Sequence, residues 1–225
     1  MHHEVSILTH IIDSLFHVQV PDNVVMTSLV FVVSVLAFII LRKKPELIPS
    51  PAQQVYEGIL KALDTMLQDS MGRQGRDFLP FVTMLAIFIF LSNVLGLVPG
   101  FTSATGNLNT TAACALLVFL YYNYHGFKQH GIRYLKHFMG PSLVLAPLMF
   151  PIEIISHLAR PFSLAIRLFV NMFSDHMVLG LFLSLVPFLL PIPLMALGLF
   201  VCFIQTLVFV LLTVIYLAGA VEEAH

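Results

Sequence analysis

The chain has 225 residues, 58% of them hydrophobic and 10% charged, with a net charge of -1. A soluble domain carries roughly 25% charged residues, so the composition excludes a water-soluble protein and gives an integral, polytopic, all-α membrane protein. The near-neutral balance excludes nucleic acid as a partner and leaves membrane lipid as the surrounding medium.

No basic region precedes the first apolar run, and Glu4, Asp13 and Asp22 interrupt the start, so no cleavable signal peptide is expected. The first span is expected over residues 24–41, about the length that crosses a bilayer core. Arg42-Lys43-Lys44 follow it directly. The positive-inside rule therefore puts this end in the cytoplasm and the N-terminus outside. Over 50–71, Val55, Ile59, Leu63, Met66, Leu67 and Met71 recur at three- and four-residue spacing, with Glu57, Lys61, Asp64 and Gln68 between them. That pattern predicts an amphipathic helix on the cytoplasmic membrane surface or against a partner helix.

Residues 78–98 form the second expected span, interrupted only by Ser92 and Asn93. An uncharged turn from Pro99 to Gly106 follows, and Asn107 or Asn109 is placed to cap a third span over 110–124. His125 to His137, with Lys128, Arg133 and Lys136, reads as a basic interfacial loop. Nine of the eleven Lys and Arg residues fall in 42–76 or in this loop, which gives one consistent topology. Residues 141–186 are too long for one perpendicular crossing and contain Pro147, Pro151 and Pro161, so a long, bent, tilted helix is expected. A turn at Pro187 to Pro193 leads to the last helix, 194–220, which carries Gln205 and returns Glu222-Glu223 to the cytoplasm. The expected architecture is one integral membrane domain over 1–225, with about five crossing helices, one surface helix and a final tilted hairpin. Cys114 and Cys202 lie inside apolar runs and read as small buried hydrophobes, not as a disulfide or metal pair.

Between Lys136 and Glu222 the only Asp, Glu, Lys or Arg residues are Glu153, Arg160, Arg167 and Asp175. An ionisable group in hydrocarbon costs about 2.5–3.5 kcal/mol on insertion scales and marks a functional site by default. Glu153, Arg160, Arg167 and Ser174 are spaced by seven, and each such step drifts only about 20° around a helix. Glu153 and His157 are one turn apart, as are Arg167 and Asn171. The resulting polar stripe should face a partner helix or a wet crevice. The alternative is internal pairing, Glu153 with Arg160 and Asp175 with Arg167. Asp175 lies about 80° around the helix from Arg167, so that second pair is poorly placed and the counter-charge is expected from another chain. Guanidinium stays protonated and cannot pass a proton on, whereas Glu, Asp and His can. A fixed positive charge flanked by titratable groups suits two proton paths kept apart by an electrostatic barrier.

At Pro161-Phe162-Ser163-Leu164-Ala165-Ile166-Arg167-Leu168-Phe169-Val170-Asn171-Met172 the sequence resembles subunit a of the F-type ATP synthase. The likeness extends through Leu91-Ser92-Asn93-Val94-Leu95-Gly96-Leu97-Val98-Pro99-Gly100, Pro151-Ile152-Glu153 and Phe203-Ile204-Gln205 to the end. It implies a non-catalytic, proton-translocating stator subunit in the cell inner (plasma) membrane, with no cofactor and with ATP chemistry on other subunits. The implied partners are the c-ring, the peripheral-stalk b subunits and the rest of the complex. Arg167 matches the family's essential arginine; Glu153, Ser156 and His157 would line the cytoplasmic half-channel; Asn171, His176 and Gln205 match positions of the other half-channel and the arginine's surroundings.

Two departures matter. Relatives with a histidine at the position of His176 often carry a glutamate seven residues before the glutamine, where Gly198 stands here, and Asp175 replaces a small residue. Val170 stands where glycine is common. The expectation is that the carboxylate has moved to Asp175, with Gly198 leaving room for it. An intramembrane protease is disfavoured because no His-Glu-x-x-His pair or Gly-x-Ser-x-Gly elbow occurs. A stand-alone proton-coupled secondary transporter is the alternative function, although the chain lacks the repeat symmetry such folds show.

Overall fold

A computed structural model describes residues 21–41, 51–98, 101, 103–131, 146–185 and 191–221. Arg42-Lys43-Lys44, Arg133, Lys136, residues 141–145, Pro187 and Glu222-Glu223 lie outside the described residues.

The described chain is helical and contains no strand. Its helices are α1 (Asp22–Leu41), α2 (Pro51–Met71), α3 (Leu79–Gly96), α4 (Leu108–His130), α5 (Ala146–Leu185) and α6 (Pro191–Val221). Two 3-10 turns join them, Gly72–Phe78 before α3 and Ala104–Gly106 before α4. Four stretches are long and apolar enough to cross a membrane: Asp22–Ile40, Gln53–Gly96, Met149–Ser184 and Ile192–Val221. At 23 residues α4 is also long enough, but Asn109, Thr110, Thr111, Tyr121, Tyr122 and Asn123 make it less apolar.

Local chemistry fixes the ends of α4. The Asn107 side chain accepts a hydrogen bond from the Asn109 amide at 2.9 Å, which settles which asparagine caps the helix. The helix does not stop at Tyr124. It runs through His130 to Gly131, whose φ of 56° ends it, so the first part of the segment read as an interfacial loop is helical.

Contacts between the helices give their directions. At one end Gln129 donates to Gln74 at 3.2 Å, and His130 Nε2 donates to the Val221 carbonyl at 3.3 Å. This end also carries Arg73, Arg76 and Lys128, and is called the basic end below. At the other end the Thr27 and Thr110 hydroxyls meet at 3.3 Å, and Ser103 and Thr105 pack on α3 near Asn93. Helices α3 to α6 therefore alternate in direction, and α5 with α6 forms an antiparallel hairpin. At 40 and 31 residues these two helices are about 60 and 47 Å long, well beyond a hydrocarbon core of about 30 Å. Helix α5 continues through Pro151 and Pro161. Pro161 has no N–H for the carbonyl of His157, one turn earlier.

The core joins five elements through Leu67 of α2, Val82 and Ile89 of α3, Val118 and Tyr122 of α4, Leu164 and Leu168 of α5, and Phe209, Val214 and Leu217 of α6. In lipid such contacts stabilise by close packing rather than by expelling water. Helix α2 divides along its length. Leu63 and Leu67 are buried in this core, whereas Val55 and Ile59 stay at least half exposed. Gly75 lets the 3-10 turn close onto α2, since a Cβ there would lie 2.5 Å from the Leu67 carbonyl oxygen.

Candidate functional site

Helix α5 carries Glu153, His157, Arg160, Arg167, Asp175 and His176 and spreads them along its length. Toward the basic end stand Glu153, Ser156, His157 and Arg160; toward the opposite end stand Asp175 and His176. Arg167 lies between, ten residues from His157 and nine from His176, or about 15 and 13 Å along the helix.

The group nearer the basic end is anchored. His157 is buried, with Nε2 at 2.9 Å from Asn123 Oδ1 and 3.3 Å from the Tyr122 hydroxyl. Phe119 and Tyr122 contact its ring edge-on at 5.3 Å between centroids. Glu153 is half-buried one turn away, and Ser156 is exposed. Arg160 lies over the Tyr216 ring of α6, 5.5 Å from its centre, a cation–π contact. Neither internal pair forms: among the described residues the one salt bridge joins Arg76 to Asp64 at 3.5 Å.

Arg167 is exposed on the side of α5 that points away from the core, beside Ile166 and Val170. Its neighbour Leu168 faces inward and is fully buried, which holds that orientation. No described residue supplies Arg167 with a hydrogen bond or a counter-charge. One turn on, Asn171 Nδ2 donates to Gln205 Oε1 at 2.7 Å and ties α5 to α6 beside the arginine.

The group at the opposite end is tightly packed and incompletely bonded. Asp175 and His176 share a narrow cleft with Asn93, Gly96, Leu97, Met172 and Leu179. A Cβ on Gly96 would lie 2.5 Å from Ser103 Cβ and 3.0 Å from His176 Nε2, so only glycine lets the turn and the imidazole approach α3 this closely. One Asp175 oxygen, the Asn93 amide nitrogen and the Ser92 hydroxyl are buried without a described partner. Gly198 does not make room for Asp175. The space above it holds the Leu97 side chain, whose Cδ2 would lie 2.6 Å from an added Cβ.

The family described as ATP synthase A chain matches residues 24–218. Over 204 residues, 91% of this chain, the sequence is 45% identical to the ATP synthase subunit a of Sulfurihydrogenibium sp., covering 99% of that protein. It is 47% identical to that of Geobacter sulfurreducens and 49% to that of Trichlorobacter lovleyi, in each case over 91% of this chain and 89% of the relative. The chain belongs to the ATP synthase subunit a family. As a member of this membrane-sector family it takes part in ATP synthesis and proton transport.

The structure brings Asn171 to Gln205 and Asp175 and His176 to one cleft, and keeps both groups apart from His157. Sequence reasoning missed the residues that α3 and α4 contribute. Tyr122 and Asn123 hold His157, and Asn93, bonded by Thr105, lines the cleft with Asp175. Ser92-Asn93 inside an otherwise apolar span was the available signal, since polar groups in hydrocarbon need partners.

Proposed function

We propose that this chain is the proton-translocating stator subunit of an F-type ATP synthase, providing two offset half-channels to the carboxylates of a c-ring, with Arg167 as the barrier between them. The observation that carries this reading is Arg167 itself, exposed on the outer side of α5 within the membrane and without a counter-charge among the described residues. A guanidinium left in lipid is costly, and without a salt bridge to any described acid Arg167 calls for a carboxylate from another chain.

The geometry supports a definite sequence of events. A ring carboxylate arriving at Arg167 is held in its ionised form by the adjacent cation. Guanidinium keeps its own protons, so the proton leaves by one path and cannot cross to the other. Glu153, Ser156 and His157 serve the path on the basic, cytoplasmic side; Asp175 and His176 serve the outer path. The Asn171–Gln205 bond sets the arginine's surroundings and keeps α5 and α6 in register. Each charge carried through 100 mV supplies about 2.3 kcal/mol to turn the ring.

In this reading the chain is one integral domain of the plasma membrane, with its N-terminus outside and its C-terminus inside. It is not itself an enzyme, and it assembles with the c-ring and the peripheral-stalk b subunits. Reconstituted complex carrying Arg167→Ala should assemble with the ring yet lose ATP-driven proton pumping by more than about 100-fold, as expected for loss of a charge acting directly on the transferred proton. Pumping near the wild-type rate would refute the reading.

A further inference from the structure

The cleft around Asp175 contains a polar pair that the half-channel reading does not use. Asn93 of α3 is fully buried, and its Oδ1 accepts a 2.7 Å hydrogen bond from the Thr105 hydroxyl. Thr105 is itself fully buried and held by Ser103 at 2.9 Å. The asparagine is thus anchored through its oxygen, and its amide N–H groups have no described partner. Asp175 lines the same cleft and presents a buried oxygen that also lacks one. The cleft is narrow, so the two groups share one confined space. One is a donor and the other an acceptor. Buried polar groups of this kind are normally bonded, and a donor and an acceptor left over in one tight cleft point to a bond made in another state of the site.

We propose that Asn93 is a positioning residue for Asp175, donating its amide hydrogens to the carboxylate when Asp175 has given up its proton. The proposal rests on Asp175 serving the outer proton path. A hydrogen bond to a carboxylate is about twice as strong as one to a neutral acid. Asn93 therefore engages the deprotonated side chain and releases it on protonation, which turns Asp175 between α3 and its neighbour His176. Thr105 supplies the fixed end of this lever. Because Thr105 sits in the 3-10 turn, the turn between α3 and α4 becomes part of the proton path and not merely a connection.

The test uses the complete ATP synthase in proteoliposomes and a double-mutant cycle. Asn93→Leu should slow ATP-driven pumping on the order of ten-fold, the effect of losing one hydrogen bond to a charged group. In an Asp175→Asn background the same change should cost less than about two-fold, because the partner is already gone. The infrared carboxylate band that disappears in Asp175→Asn should shift in Asn93→Leu. Thr105→Val, nearly isosteric and still able to pack, should shift the same band in an assembled complex. Equal losses in both backgrounds, or an unmoved band in both Asn93→Leu and Thr105→Val, would overturn the proposal while leaving the outer path intact. Wild-type pumping by Asp175→Asn would overturn both.

Discussion

The two ends of α5 solve the same problem in opposite ways. Toward the basic end, His157 has partners on its ring nitrogen and packs against Phe119 and Tyr122. Toward the other end, Asp175 and Asn93 each keep a buried polar atom without a described partner in one narrow cleft. A fully bonded polar cluster fixes geometry, whereas an incompletely bonded one has somewhere to move. In the proposed reading the basic-side group is rigid and the group at the other end switches, with Arg167 between them.

Between the two ends of α5, the larger expected effect tests the outer group. Asp175→Asn should reduce coupled proton pumping by at least about ten-fold, since the amide cannot exchange a proton at any working pH. Wild-type rates would remove Asp175 from the path. Gly96→Ala should come next. The added Cβ would meet Ser103 at 2.5 Å, an atom too close to the turn's backbone to move aside freely. Overpacking of this kind costs roughly 1–3 kcal/mol, read as a lowered denaturation midpoint of the solubilised complex. An unchanged midpoint would mean that the turn is loosely held and the outer group less tightly built than described.

On the other side the effects should be smaller and structural. Tyr122→Phe removes the hydroxyl that bonds His157 and should cost about 1 kcal/mol of stability, with pumping reduced less than about three-fold. A larger loss of pumping than of stability would make the hydroxyl part of the inner path. Tyr216→Leu deletes the cation–π partner of Arg160 and should cost about 0.5–1 kcal/mol. If Tyr216→Leu instead abolished pumping, Arg160 would belong to the proton path.

Much of this was legible in the sequence because a helix turns spacing into position. The spacing of seven from Glu153 to Ser174 and the isolated charges of 141–186 located the site on one helix, and the run of polar residues identified Arg167 as lacking an intrahelical acid. What one helix does with another was not legible. Nothing in 93 and 105, twelve residues apart across a turn, marks Asn93 and Thr105 as bonded. Gly198 shows the same limit: a missing side chain on α6 reads as space, but only packing reveals that Leu97 of α3 fills it. The extent of α4 was understated because His125 and Lys128 read as interfacial loop, although they favour a helix that ends at the left-handed Gly131.

The central claim is that the charge opposite Arg167 belongs to another chain. The most direct measurement is the structure of the complex with its ring bound, and within it the separation between the Arg167 guanidinium and the nearest ring carboxylate. The account predicts a ring carboxylate in direct contact or one water away, with Asp175 on the outer side and Glu153 on the basic side. An Arg167 paired within its own chain, or facing lipid with the ring against another surface, would contradict it.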